Sequence, residues 1–272
     1  MEHINEINLK DFFENPIGLI ERFRWKNEVT PFSTILFPIV CSFGYLAVIY
    51  GLQSFMKNKK EIKLHGFALF HNLFLCLLSL FMFLGIVVPI AKSSFPQGLY
   101  HSLCKPIDSG LVNFSYYIFY LSKVYEFIDT IIQVLRKKNL IFLHVYHHFI
   151  TLWLVWVNLT MDTGVQWVDI SANCFVHIIM YFYYFQTERG INPWWKKYIT
   201  VVQIIQFVVD MGTHILWHYF DVQGNYNPNY CSGTLTASFF SDFVILSFLG
   251  LFIQFFVKSY NNKRSAIKKK AN

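Results

Sequence analysis

Three histidines fall within five positions of LHVYHH, Leu143 to His148, inside an otherwise oily segment. Imidazole serves near neutral pH as general acid, general base, acyl acceptor or metal ligand. Offsets of three and four residues put His144, His147 and His148 on one helical face. Other apolar segments carry similar stripes. KVYEFIDT presents Lys123, Glu126, Asp129 and Thr130 together, and NCFVHIIMYFYY presents Asn173, His177, Met180, Tyr181 and Tyr184. A longer column, Thr200, Gln203, Gln206, Asp210, His214 and His218, stays within an arc of about 120° at about 100° per residue.

The elements that position these side chains are membrane helices. Hydrophobic residues make up 54% of the 272-residue chain and charged residues 14%, against about 25% charged in a soluble domain. Apolar runs at 32–51, 66–90, 112–135, 140–157, 168–185, 199–220 and 235–257 each approach the roughly 20 residues that cross a bilayer. The expectation is an all-α polytopic membrane protein in one domain, residues 1–272, with seven transmembrane helices. The polar opening stretch has no apolar core segment, so no cleavable signal peptide is expected. Lysine and arginine crowd the loops after the first, third and fifth runs and the tail from Lys258 to Lys270. Those loops are therefore expected to be cytosolic, with the N-terminus lumenal. The charge of +7 is thus a topology signal rather than a nucleic-acid footprint. The ending Lys269-Lys270-Ala271-Asn272 resembles the dilysine (KKxx) retrieval signal of endoplasmic reticulum membrane proteins. Cys104 and Cys231 fall in two loops on the lumenal side, where disulfides persist, and a bridge between them is expected. The sequons at Asn113 and Asn158 hug membrane ends and are expected to be unglycosylated.

Depth ties the stripes together. Measured from the cytosolic ends at 1.5 Å per residue, His144 to His148 lie roughly 6–12 Å in, Glu126 and Asp129 about 9–14 Å, His177 about 12 Å, and Gln203 and Gln206 about 6–10 Å. Four helices of alternating direction thus bring polar residues to one level, as a shared site requires and scattered structural pairs do not. The deeper members Asp210, His214 and His218 suggest a narrow cavity running on across most of the membrane.

Three chemistries compete for this cluster. Membrane di-iron desaturases and hydroxylases use histidine boxes, but need about eight histidines in three clusters. The set read here is His144, His147, His148, His177, His214 and His218, the last two about two turns or more deeper. A site from His144, His148 and a carboxylate keeps a desaturase- or hydroxylase-like metalloenzyme as the alternative. A retinal protein would need a lysine within 235–257, which has none. Metal-free acid–base or nucleophilic chemistry needs an imidazole with a partner on its second nitrogen, and Glu126 and Asp129 lie at the right depth.

The four stretches match, in order and spacing, KxxExxDT, HxxHH, NxxxHxxMYxYY and TxxQxxQ. They resemble the signature boxes of the ELO family of very-long-chain fatty acid elongases, over essentially all seven runs. That resemblance implies a 3-oxoacyl-CoA synthase of the endoplasmic reticulum membrane. It would condense a long-chain acyl-CoA with malonyl-CoA, releasing CO2 and CoA, with no metal or other cofactor and with neighbouring enzymes of the elongation cycle as partners. Six helices would form a barrel around a long acyl tunnel, with the first span outside. His147 is expected to attack the thioester with His177 as acid–base partner, while Glu126 and Asp129 orient His144 and His148. Asn173, Gln203 and Gln206 would supply amide donors. Lys123, Tyr181 and Tyr184 are expected to contact substrate, and Arg136, Lys137, Lys138 and Lys196 to receive the CoA portions. Asn139 stands five residues before His144, where members acting on polyunsaturated chains tend to carry Gln, so saturated or monounsaturated chains are expected.

Overall fold

A chain this apolar has to satisfy its backbone polar groups internally, which in lipid selects helices or closed barrels. The computed structural model describes residues 15–227 and 229–261, and among them every regular element is a helix. In chain order the α-helices are α1 (Pro16–Arg22), α2 (Leu36–Met56), α3 (His65–Ser93), α4 (Leu99–Cys104), α5 (Gly110–Tyr125), α6 (Phe127–Leu135), α7 (Phe142–Thr160), α8 (Gln166–Glu188), α9 (Lys196–Gln223) and α10 (Leu235–Phe256). By length and composition, five described helical stretches can cross a membrane: Leu36–Met56, His65–Gln97, Gln166–Glu188, Lys196–Gln223 and Leu235–Tyr260. The chain is a polytopic all-α membrane protein.

The run 112–135, expected as a single span, is two helices meeting at Glu126. The Glu126 N–H still donates to the Ser122 carbonyl at 2.8 Å, but the Asp129 N–H reaches only three residues back, to the Glu126 carbonyl at 3.0 Å. The turn tightens there, and the Glu126 side chain is held by the Ser122 hydroxyl at 3.1 Å and by Lys123 at 2.8 Å. The polar residues of KVYEFIDT thus sit at a helix junction.

Helix α3 packs along α8, α8 on α9, α9 on α10, α10 on α7, α7 on α5, and α5 back on α3. Helix α2 packs instead on α6 and α7, where Tyr45 stacks on Phe127 with ring centroids 4.3 Å apart. Outward faces stay apolar, as at Phe43, Phe70 and Leu246, which suits lipid contact. Two helix starts are capped by hydroxyls: Ser109 accepts from the Val112 N–H at 3.5 Å, and Thr234 from the Ala237 N–H at 3.2 Å.

At one end of the bundle Cys104 and Cys231 form a disulfide, with Cα atoms 4.3 Å apart. The adjoining loops are pinned through Ser232, whose N–H donates to the Cys104 carbonyl at 2.7 Å and whose own carbonyl accepts from Gly164 and from the buried Trp217 indole. Both sequon asparagines are hydrogen-bonded within the protein. Asn113 donates to the Ile107 and Ser109 carbonyls, and buried Asn158 accepts from Ser241. The opposite end carries Lys57, Arg136, Lys138 and Lys196. Lys10 and the tail with Lys269 and Lys270 lie outside the described residues.

Candidate active site

The polar stripes of α6, α7, α8 and α9 face one cavity of about 620 Å³, within the range of small-molecule sites. Its walls include His144, His147, His148, His177, Glu126, Asp129, Asn173, Tyr181, Tyr184, Gln203 and Gln206. Arg136, Lys138 and Lys196 also line it, at the end away from the disulfide. Side chains separated by up to 80 residues of sequence are therefore gathered around one space.

The imidazoles differ in how they are held. His177, buried on α8, has Nδ1 3.6 Å from Glu126 Oε1. That carboxylate oxygen also accepts from Lys123 Nζ at 2.8 Å, and Lys123 reaches Asn173 Oδ1 at 3.1 Å. Glu126 Oε2 has no hydrogen-bond partner among the described residues. His144 is fixed by neutral groups: Thr130 Oγ1 lies 2.9 Å from its Nε2, and Gln133 Nε2 lies 3.1 Å from the same nitrogen. Tyr45 on α2 bonds Thr130 at 2.9 Å, so the helix outside the succession still buttresses the site. His147 and His148 have no hydrogen-bond partner among the described residues; His147 packs edge-on to His148 at 5.4 Å and against Phe248 at 5.0 Å between centroids.

Several expected pairings are therefore different in the structure. Neither His144 nor His148 bonds a carboxylate. Asp129 instead accepts from the Tyr181 hydroxyl at 2.6 Å through Oδ2 and meets His71 Nε2 at 2.8 Å through Oδ1. His71, fully buried on α3, is a further intramembrane histidine that the sequence reading left out. A histidine inside an apolar run was the available signal. Lys123, expected at the substrate, is 2% exposed, ion-paired, and absent from the cavity wall. Lys137 is likewise outside that wall, its Nζ donating to the Lys57 carbonyl at 3.2 Å.

The deep end of the α9 column also departs from expectation. Beyond Gln206 and Phe207 lies a void of about 40 Å³, reaching Asp210, Asp169 and Gln166. Past it, His214 is held between Asp242 at 2.7 Å and Asp169 at 3.1 Å, and His218 meets Asp242 at 2.7 Å. Helix-to-helix pairing, rather than an open cavity, accounts for those two histidines. Buried charges in a membrane persist only when paired in this way. Among the described residues, no group of three or more His, Cys, Asp or Glu is arranged to hold a metal ion.

A helical membrane protein with a histidine-lined chamber under a basic mouth is the class this geometry defines. The chain belongs to the GNS1/SUR4 (ELO) family, whose model matches residues 30–268. It is 80% identical to fatty acid elongase A of Dictyostelium discoideum over the whole of both chains. Putative fatty acid elongase 1 of Schizosaccharomyces pombe is 36% identical, over 98% of this chain and 82% of that one. Very long chain fatty acid elongase 5 of Rattus norvegicus is 31% identical, over 85% of this chain and 76% of that one. The protein is an enzyme of fatty acid elongation.

Proposed function

We propose that the chain is a 3-oxoacyl-CoA synthase that condenses an acyl-CoA with malonyl-CoA in the histidine-lined chamber. The observation that carries this reading is His147, which faces the cavity with neither ring nitrogen hydrogen-bonded among the described residues. A ring nitrogen of His147 attacks the thioester carbonyl carbon; the C–N bond forms, the C–S bond breaks, and CoA leaves with the proton that imidazole gives up. Malonyl-CoA then loses CO2, and the enolate carbon attacks the acyl-imidazole. The new C–C bond forms as the C–N bond breaks, and the departing imidazolate takes up a proton delivered from water through His177, regenerating neutral His147.

His177, tied to Glu126 at 3.6 Å, is the acid–base partner. The cavity amides of Asn173, Gln203 and Gln206 are donors for the thioester oxygen and the enolate. His144 and His148 shape the wall beside them. Arg136, Lys138 and Lys196 receive the CoA phosphates at the mouth. No cofactor is required in this scheme.

The closed succession of helix contacts supports a barrel of six spans, counting α5 and α6 as one, with α2 as a seventh span outside it. The acyl chain enters the barrel through the chamber, and the small void past Gln206 widens to admit it. The basic end faces the cytosol and the disulfide end the lumen of the endoplasmic reticulum, in accord with the lysine and arginine count. Saturated and monounsaturated chains are the preferred substrates.

Purified protein given acyl-CoAs of graded length with malonyl-CoA, and assayed for bound metal on the same sample, tests the reading. A 3-ketoacyl-CoA two carbons longer from metal-free protein supports it. Product that appears only with stoichiometric iron or zinc overturns it.

A further inference from the structure

At the chamber mouth stands an acid that condensation does not use. Arg136 presents its guanidinium fork to Glu188, with Nη1 donating to Oε1 at 2.5 Å and Nη2 to Oε2 at 3.0 Å. Both side chains line the cavity and are partly exposed, at 22% and 17%. A bidentate carboxylate fills the same donor geometry that a phosphate would use. Lys138 and Lys196 line this mouth without any ion pair among the described residues. Among the described residues, Arg136 is the one of these three cations that is ion-paired.

The acid also has somewhere to remain when the guanidinium turns away. His65 Nδ1 lies 3.2 Å from Glu188 Oε2. The segment that leads into His65 and the chain around Arg136 are tied together, because the Ile62 N–H donates to the Leu135 carbonyl at 2.9 Å and Lys137 Nζ to the Lys57 carbonyl at 3.2 Å. Binding a phosphate at Arg136 is therefore an exchange of one anion for another. A thioester without phosphates has no reason to break the pair.

We infer that Glu188 is a specificity-determining latch that occupies Arg136 in the empty enzyme and must be displaced by a phosphate of the incoming CoA thioester. This rests on the reading that CoA thioesters bind at this mouth. Removing the acid turns the exchange into a direct gain, so affinity for CoA substrates rises while phosphate-free thioesters are unaffected.

The test compares kcat/KM for malonyl-CoA and malonyl-pantetheine, with a fixed acyl-CoA at low ionic strength, in wild type, Glu188→Gln, Arg136→Gln and the double variant. For a partly exposed pair worth about 1 kcal/mol, Glu188→Gln raises the CoA-over-pantetheine ratio about fivefold, mainly through a lower KM for malonyl-CoA. Arg136→Gln lowers the ratio, and the double variant matches Arg136→Gln, because Glu188 acts only through that guanidinium. If Arg136→Gln lowers the ratio but Glu188→Gln leaves it unchanged or lowers it, the latch is refuted and the mouth stands. If Arg136→Gln changes nothing, the placement of CoA at this mouth fails and the latch fails with it.

Discussion

Replacing Lys123 by Met isolates the buried ion pair under the chamber. Lys123 and Glu126 have side chains 2% exposed each, their charged atoms 2.8 Å apart, and Glu126 Oε2 is already without a partner among the described residues. Removing the ammonium strands a nearly buried carboxylate without its counter-charge, which costs about 3–5 kcal/mol. Taking about 2–4 °C per kcal/mol, the melting midpoint in detergent falls by roughly 6–20 °C. The double variant Lys123→Met with Glu126→Gln removes both charges, and its midpoint returns to within about 1 kcal/mol of wild type, since deleting a whole buried pair is near neutral. Its elongation activity does not return, because His177 has lost its carboxylate neighbour. The measurement is a thermal melt of the three purified proteins with a parallel product assay. A single variant that melts with wild type, or a double variant as unstable as the single, would refute the reasoning. So would a fully active double variant.

His147→Ala removes a ring without hydrogen bonds beside an existing cavity, so the melt should move by no more than about 1 kcal/mol while kcat falls roughly 10²–10⁴-fold. A stable variant with near-normal kcat would exclude His147 from the chemistry. Tyr181→Phe deletes the 2.6 Å donor to Asp129 and leaves that oxygen unmet, costing about 1–3 kcal/mol of stability. His71 still holds the other oxygen, so activity should persist at a reduced kcat, read by melt and by steady-state kinetics.

Polar residues in an apolar chain were legible because their presence inside spans is costly and their spacing repeats at helical period. Members of all four stripes line one cavity, and Cys104 and Cys231 pair. Partners were less legible. Which carboxylate meets which imidazole depends on helix rotation and on the tightened turn at Glu126, neither of which a face-by-face reading encodes. Asp129 turned toward α3 and met His71. Lys123 illustrates a second limit: a cation in a stripe marks burial with a partner as readily as substrate contact. His214 and His218 show the same for the deep column, where Asp169 and Asp242 from neighbouring helices consume the polarity that sequence spacing assigned to a cavity. Glu188 escaped notice because an acid at a helix end reads as a solvated residue until Arg136 is placed opposite it.

The most direct test of the account is mass spectrometry of the intact protein after incubation with acyl-CoA alone, alongside measurement of free CoA. The account predicts CoA released in proportion to enzyme, one acyl mass added, and the adduct mapping to His147. Free CoA that appears only once malonyl-CoA is added, with the protein mass unchanged, would contradict it.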